Sequence, residues 1–123
     1  MIIGIGIDAV QISRLKKWIS NATLLERYFN RRELDSIQKR GKGMVNSLAA
    51  HFAAKEAFGK ALGTGFAGFA LKDIMVISNV GEKPMLFAEE SAQKAMKAAG
   101  AKKSHVSLSH DGDMALAMVV LED

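Results

Sequence analysis

No cysteine occurs among the 123 residues, so neither a disulfide framework nor a thiolate metal site is open to the chain. Proline is almost as scarce: the single one, Pro84, closes a GEKP turn and interrupts no element. No apolar run approaches the ~20 residues that a bilayer-spanning helix needs, so no membrane segment is expected. The N-terminus lacks the basic start and small-residue cleavage site of a secretory signal, and a cytoplasmic location is expected. Aromatic residues make up only 7% of the chain, and none sits in the basic–aromatic strand pattern that stacks bases, which argues against a nucleic-acid partner.

What remains is a soluble globular composition, 49% hydrophobic and 24% charged, over a length that makes residues 1–123 one domain. The net charge of +4 favours an anionic partner. Near the start, GIGIDAV (residues 4–10) reads as a strand with period two. Ile3, Ile5 and Ile7 share one face, expected to point to the core, while Gly4, Gly6 and Asp8 share the other. Glycine inside a strand marks a place where a ligand or another backbone comes close. By itself the stretch leaves two readings of Asp8, a helix cap or a site residue.

Further along, Ser13 is placed to cap a short helix burying Leu15, Trp18 and Ile19, and Thr23 with Glu26 forms a capping-box pattern for a second. Asn30 and Glu33 repeat that pattern for a helix over roughly 31–40. MVNSLAAHFAAKEAFGKALG then predicts the longest helix, stopped at Gly63, with GTGFAG as a loop after it. DIMVISNV, GEKP and MLFA form a hairpin; AEESAQKAMKAAG forms a surface helix; SHVSLSH, DGD and MALAMVVLE form a second hairpin. This order predicts an α+β fold with an antiparallel sheet packed around one long central helix.

Within the long helix, Phe52, Glu56 and Lys60 fall along one stripe, on a boundary that is partly buried. Glu56 and Lys60 are spaced as a surface ion pair, but Gly59 beside them is a costly mid-helix residue and implies a close approach. Asp8 and Glu56, if brought together, suit Mg²⁺, which takes one or two carboxylates and completes its octahedron with water and phosphate oxygens. Lys60 would then neutralise phosphate charge. His105 shares a strand face with Ser107 and Ser109 and is able to donate to a phosphate or an adenine. His110 falls on the apolar face as a structural histidine, and the hairpin turn outweighs a metal reading of His110, Asp111 and Asp113. His51, one turn before Lys55, reads as a solvated side chain or a basic edge facing phosphate.

GIGIDAVQISR, FAAKEAFGKALGTG and HVSLSH, in that order and at those intervals, closely resemble the holo-acyl-carrier-protein synthases, the small single-domain 4′-phosphopantetheinyl transferases. The resemblance covers essentially the whole chain. It implies Mg²⁺-dependent transfer of the phosphopantetheine arm of coenzyme A to a serine of an apo acyl carrier protein, with adenosine 3′,5′-bisphosphate as the other product, in the service of fatty acid biosynthesis. It further implies that Asp8 and Glu56 bind the metal and that Lys60 assists at the phosphates. Lys42, His51, Gly63, Lys83, Pro84 and His105 are implied at the coenzyme A site, with Arg14 and Lys17 docking the acidic carrier. A homotrimer with active sites between subunits is implied as well. The chain departs from the family pattern at His51, where arginine is usual, at Gly43 after Lys42, where a Lys-Arg pair is usual, and at Asp111, where threonine is common. These departures bear on the nucleotide phosphate contacts rather than on the carboxylate pair.

Overall fold

Alanine is small and favours helix, and the alanine-rich stretch forms the longest helix, α3 (Met44–Leu62), closed by Gly63 in the left-handed conformation at φ +83°. The computed structural model describes residues 1–78 and 81–123. Before α3 come strand β1 (Ile2–Gln11), a 3₁₀-helix (Ile12–Trp18), and helices α1 (Ala22–Tyr28) and α2 (Arg31–Gln38). After it come β2 (Ile74–Ile77), β3 (Met85–Ala88), helix α4 (Glu90–Ala98), β4 (Lys103–Asp111) and β5 (Met114–Glu122). Strands β1, β5 and β4 form an antiparallel sheet in that order, and β2 pairs with β3. This is the expected α+β architecture; of the strand expected over DIMVISNV, Asn79 and Val80 lie outside the described residues.

The sheet lies on α3, and the contact corrects the reading of β1. Gly4 and Gly6 face the helix: a methyl group on either would stand 1.9 Å from a backbone oxygen, of Ala61 and Ala57 respectively. The glycine face is therefore clearance for the α3 backbone, and the expectation that Ile3, Ile5 and Ile7 point to the core is overturned. Ile5 and Ile7 are 57% and 55% exposed and share the outward face with Met114 and Met118. Ala115, Ala117, Val119 and Leu121 of β5 supply the buried side of the sheet.

Two caps also differ from expectation. Asn21 rather than Thr23 caps α1, accepting from the Leu24 amide, because the helix begins two residues earlier. Ser13 lies inside the 3₁₀-helix, and its hydroxyl donates to Asp113. The Asn30–Glu33 capping box is present on α2, but Glu33 does more than cap. Fully buried, it accepts from Lys55 at 2.7 Å, from the Val76 amide at 2.9 Å and from His51 Nδ1 at 3.0 Å. Burial alone would raise the Glu33 carboxyl; the Lys55 ammonium and the His51 bond outweigh it and hold the pKa below the usual value. Lys55 also donates to the Leu71 and Ile74 carbonyls, with its ammonium 5.3 Å from the centre of the Phe29 ring. One buried ion pair thus joins α2, α3 and the start of β2.

Candidate active site

Asp8 sits mid-strand opposite Ala117, two residues after Gly6 and on the same inward face, so the close approach of β1 to α3 carries its carboxylate to the helix. It caps nothing, since β1 continues to Gln11. Lys60 donates to Asp8 Oδ1 at 2.9 Å and to the Ile7 carbonyl at 3.1 Å. The ion pair that Glu56–Lys60 spacing suggested is therefore made across elements, between Lys60 and Asp8. That hydrogen bond and the Asp8 charge raise the Lys60 pKa.

Glu56, one turn before Lys60, is half-buried and stands within hydrogen-bonding reach of Asp8. Burial, the Asp8 contact and the Asp8 charge push its carboxyl up to about 7, against the opposing pull of Lys60 and Arg14. Asp8 Oδ2 is buried and has no hydrogen-bond partner. Two neighbouring carboxylates, one with a bare buried oxygen, are the kind of donors that could hold a hard cation such as Mg²⁺. Among the described residues no group of three or more His, Cys, Asp or Glu side chains converges on a metal position. A cation here would complete its shell with water or ligand oxygens, as magnesium does. Gly59, by contrast, is explained by the chain itself: a methyl group there would stand 2.2 Å from the Gly65 carbonyl oxygen.

The other expected site residues distribute unevenly. Arg14 and Lys17 are exposed on the 3₁₀-helix, with the Arg14 charge felt at Glu56. Lys42 is exposed in the turn before α3, Gly63 ends that helix, and Lys83 and Pro84 lie between β2 and β3, with Lys83 exposed. His105 lies on the outward sheet face, opposite Val120, and bonds to Glu122 through Nε2 at 2.8 Å. Its face is the reverse of the one carrying Asp8, so a single chain does not bring the two together.

His51 is a correction, since it is not solvated. It is 2% exposed and its Nδ1 is engaged by Glu33. It lines a cavity of about 450 Å³ with Arg40, Asn46, Ser78, Ser109 and His110. His110, expected on an apolar face, is exposed at the end of β4. Sequence reasoning missed the buried role of Lys55 and the placement of Arg40, and it read Glu33 only as a cap. For Lys55 a signal existed, because Leu48, His51, Lys55 and Phe58 follow a helical stripe with apolar ends.

Comparison with known proteins gives a consistent picture. The model of the 4′-phosphopantetheinyl transferase superfamily matches residues 4–119. A holo-acyl-carrier-protein synthase of Treponema denticola is 48% identical over 122 residues, covering 99% of each chain. The crystal structure of the holo-acyl-carrier-protein synthase of Neisseria meningitidis is similar at 34% identity and a TM-score of 0.87, over 100% of both chains. That of Helicobacter pylori, in complex with coenzyme A, is similar at 30% identity and a TM-score of 0.78, over 96% of this chain and 99% of that one.

Proposed function

This chain belongs to the 4′-phosphopantetheinyl transferase superfamily, among the holo-acyl-carrier-protein synthases, and from that premise we propose that it moves the phosphopantetheine arm of coenzyme A onto a serine of an apo acyl carrier protein. The observation that carries this reading is the Asp8–Glu56–Lys60 constellation. It joins a bare buried carboxylate oxygen, a carboxyl raised to about 7 and a lysine with a 55% exposed side chain.

In the proposed reaction the serine oxygen attacks the β-phosphorus of coenzyme A. The bond from that phosphorus to the bridging oxygen breaks, and adenosine 3′,5′-bisphosphate leaves with the electron pair. Phosphoryl transfer asks the protein mainly to position reactants and stabilise charge. Asp8 and Glu56 would hold Mg²⁺, which when bound supplies Lewis-acid stabilisation of pyrophosphate oxygens. Lys60, fixed by Asp8 and the Ile7 carbonyl, directs its remaining donor outward toward developing negative charge. The serine proton is released as the new oxygen–phosphorus bond forms, and the Glu56 carboxylate is a group able to accept it. Arg40, His51 and His110 around the cavity of about 450 Å³ are suited to a further phosphate of the nucleotide, with Lys42, Gly63, Lys83 and Pro84 in the roles the family pattern gives them.

Arg14 and Lys17 form the basic surface for an acidic carrier. The exposed Ile5, Ile7, Met114 and Met118 support a homotrimer built on the outward sheet face. His105 lies on that face, so such assembly is the route by which it would reach a neighbour's carboxylate pair. A cytoplasmic location accords with this reading.

One assay tests the function directly. The protein is incubated with Mg²⁺, coenzyme A and an apo carrier protein, and the carrier is weighed by mass spectrometry. The expected result is a gain of the phosphopantetheine arm that chelation of the metal prevents. No gain with any of several carriers overturns the proposal.

A further inference from the structure

The 3₁₀-helix that bears Arg14 and Lys17 begins without a cap of its own: Gln11 precedes it and its side chain makes no capping bond. A helix start leaves free amides that need acceptors. Here they are met from the far end of the sequence. The Ile12 amide donates to the Asp113 carbonyl at 2.7 Å, and the Ser13 amide donates to Asp113 Oδ1 at 3.0 Å. The Ser13 hydroxyl donates to Asp113 Oδ2 at 2.7 Å. Asp113 lies at the tip of the β4–β5 hairpin, just after Gly112 at φ +57°. Both oxygens of one carboxylate are thus spent on a residue 100 positions away. The bond from the Ser13 hydroxyl leads the causes that hold the Asp113 carboxyl below its usual pKa, and the Lys16 charge adds to them.

What this tether fixes is the residue next to Ser13. Arg14 is exposed on a helix that packs against α3, the element carrying Glu56, so the orientation of that helix sets the distance between the basic surface and the carboxylate pair. We propose that Asp113 is a positioning residue for transfer, a remote cap that holds the Arg14-bearing helix at the angle where a docked carrier presents its serine to the Asp8–Glu56 site. This rests on the proposed transferase reading. Asp113 contacts neither Asp8, Glu56 nor Lys60 through any hydrogen bond or ion pair of the structure, so its effect must pass through the helix.

Steady-state transfer kinetics test this with Asp113→Ala and Asp113→Asn. The loss expected for Asp113→Ala is a carrier KM raised about fivefold or more, the size associated with a lost helix cap. Coenzyme A KM and kcat at saturating carrier are expected to stay near wild type. Asp113→Asn, which keeps an acceptor for the Ser13 amide, is expected to recover most of the loss and also guards against a misfolded alanine variant. In an Arg14→Ala background, Asp113→Ala is expected to lose most of its effect, a coupling that a generally loosened fold does not produce. Unchanged carrier KM in a folded Asp113→Ala protein overturns the inference. Equal losses in kcat and coenzyme A KM, or full additivity with Arg14→Ala, overturn it as well. Absence of transfer in the wild-type protein would instead count against the transferase reading.

Discussion

Gly6 lies so close beneath Ala57 that a methyl group on it would stand 1.9 Å from the Ala57 carbonyl oxygen and 2.7 Å from the Ala61 amide nitrogen. Both neighbours are backbone of α3, which cannot swing aside as a flexible side chain does. Gly6→Ala must therefore push β1 off the helix, and overpacking of this kind costs ~1–3 kcal/mol. Chemical denaturation is expected to register that loss. Transfer activity is expected to fall further than stability does, because Asp8 rides on the same strand two residues on. A variant with the wild-type midpoint and wild-type activity would show that β1 and α3 do not pack this tightly.

The same contact explains what the sequence let one read and what it hid. Helix ends were legible because their chemistry is local: Gly63 and Gly100 stop α3 and α4, and Asn30 with Glu33 opens α2. The stripe of Phe52, Glu56 and Lys60 was legible for the same reason, and with Asp8 it marked the candidate site. The face of β1 was not, because a row of isoleucines reads as core unless one knows that an alanine-surfaced helix lies against the glycines. Glu33 was half legible. Its bond to the Asn30 amide is three residues long, while its bonds to Lys55 and Val76 span tertiary distance that no local pattern encodes. His51 read as solvated by the same limitation, since the acceptor that buries it is Glu33.

The raised Glu56 carboxyl makes divalent-cation binding depend on pH. Its pKa lies above the unfolded value of 4.5, at about 7. In the metal-free protein this group's contribution to stability is complete below about pH 4.5 and is lost as pH rises through about 7, where the Glu56 carboxyl ionises. A cation needs the ionised form, so its apparent affinity is expected to rise about tenfold between about pH 6 and about pH 8. Thermal melting with and without Mg²⁺ checks the sign: the metal should raise Tm more at the higher pH. In Glu56→Gln that pH dependence should vanish along with Mg²⁺-dependent transfer. A metal effect that is flat with pH, or full activity in Glu56→Gln, would remove Glu56 from the cation site.

Lys55 is the partner that makes a buried Glu33 tolerable. Lys55→Met keeps the length and apolar stem but leaves the carboxylate without its ammonium, and removing one member of a buried pair costs ~3–5 kcal/mol. The loss should appear in denaturant midpoint for the isolated protein, without substrate. The double variant Lys55→Met, Glu33→Leu is expected to recover part of it, since no buried charge is then left uncompensated. The Val76 amide and His51 still lose their acceptor, so recovery should be incomplete. A Lys55→Met protein as stable as wild type would mean that Glu33 is not buried as an anion.

Ile7 and Met118 sit opposite one another across β1 and β5 on the outward face of the sheet, with side chains that a single chain leaves uncovered. Ile7→Lys and Met118→Lys place a charge there without disturbing the face packed on α3. If the face joins subunits, light scattering should give the wild-type protein the mass of three 13.3 kDa chains and each lysine variant a smaller one. Transfer activity should fall in step with that mass, while the melting of the dissociated chain stays cooperative. A sharper consequence concerns His105, which the fold puts on the reverse face from Asp8. Were active sites completed by a neighbour, an Asp8→Asn chain and a His105→Ala chain, each impaired alone, should regain activity when dissociated and reassembled together. Mixed assemblies then contain sites in which both residues are intact. A monomeric, fully active wild type would defeat the trimer, and trimers without complementation would place His105 outside the shared site.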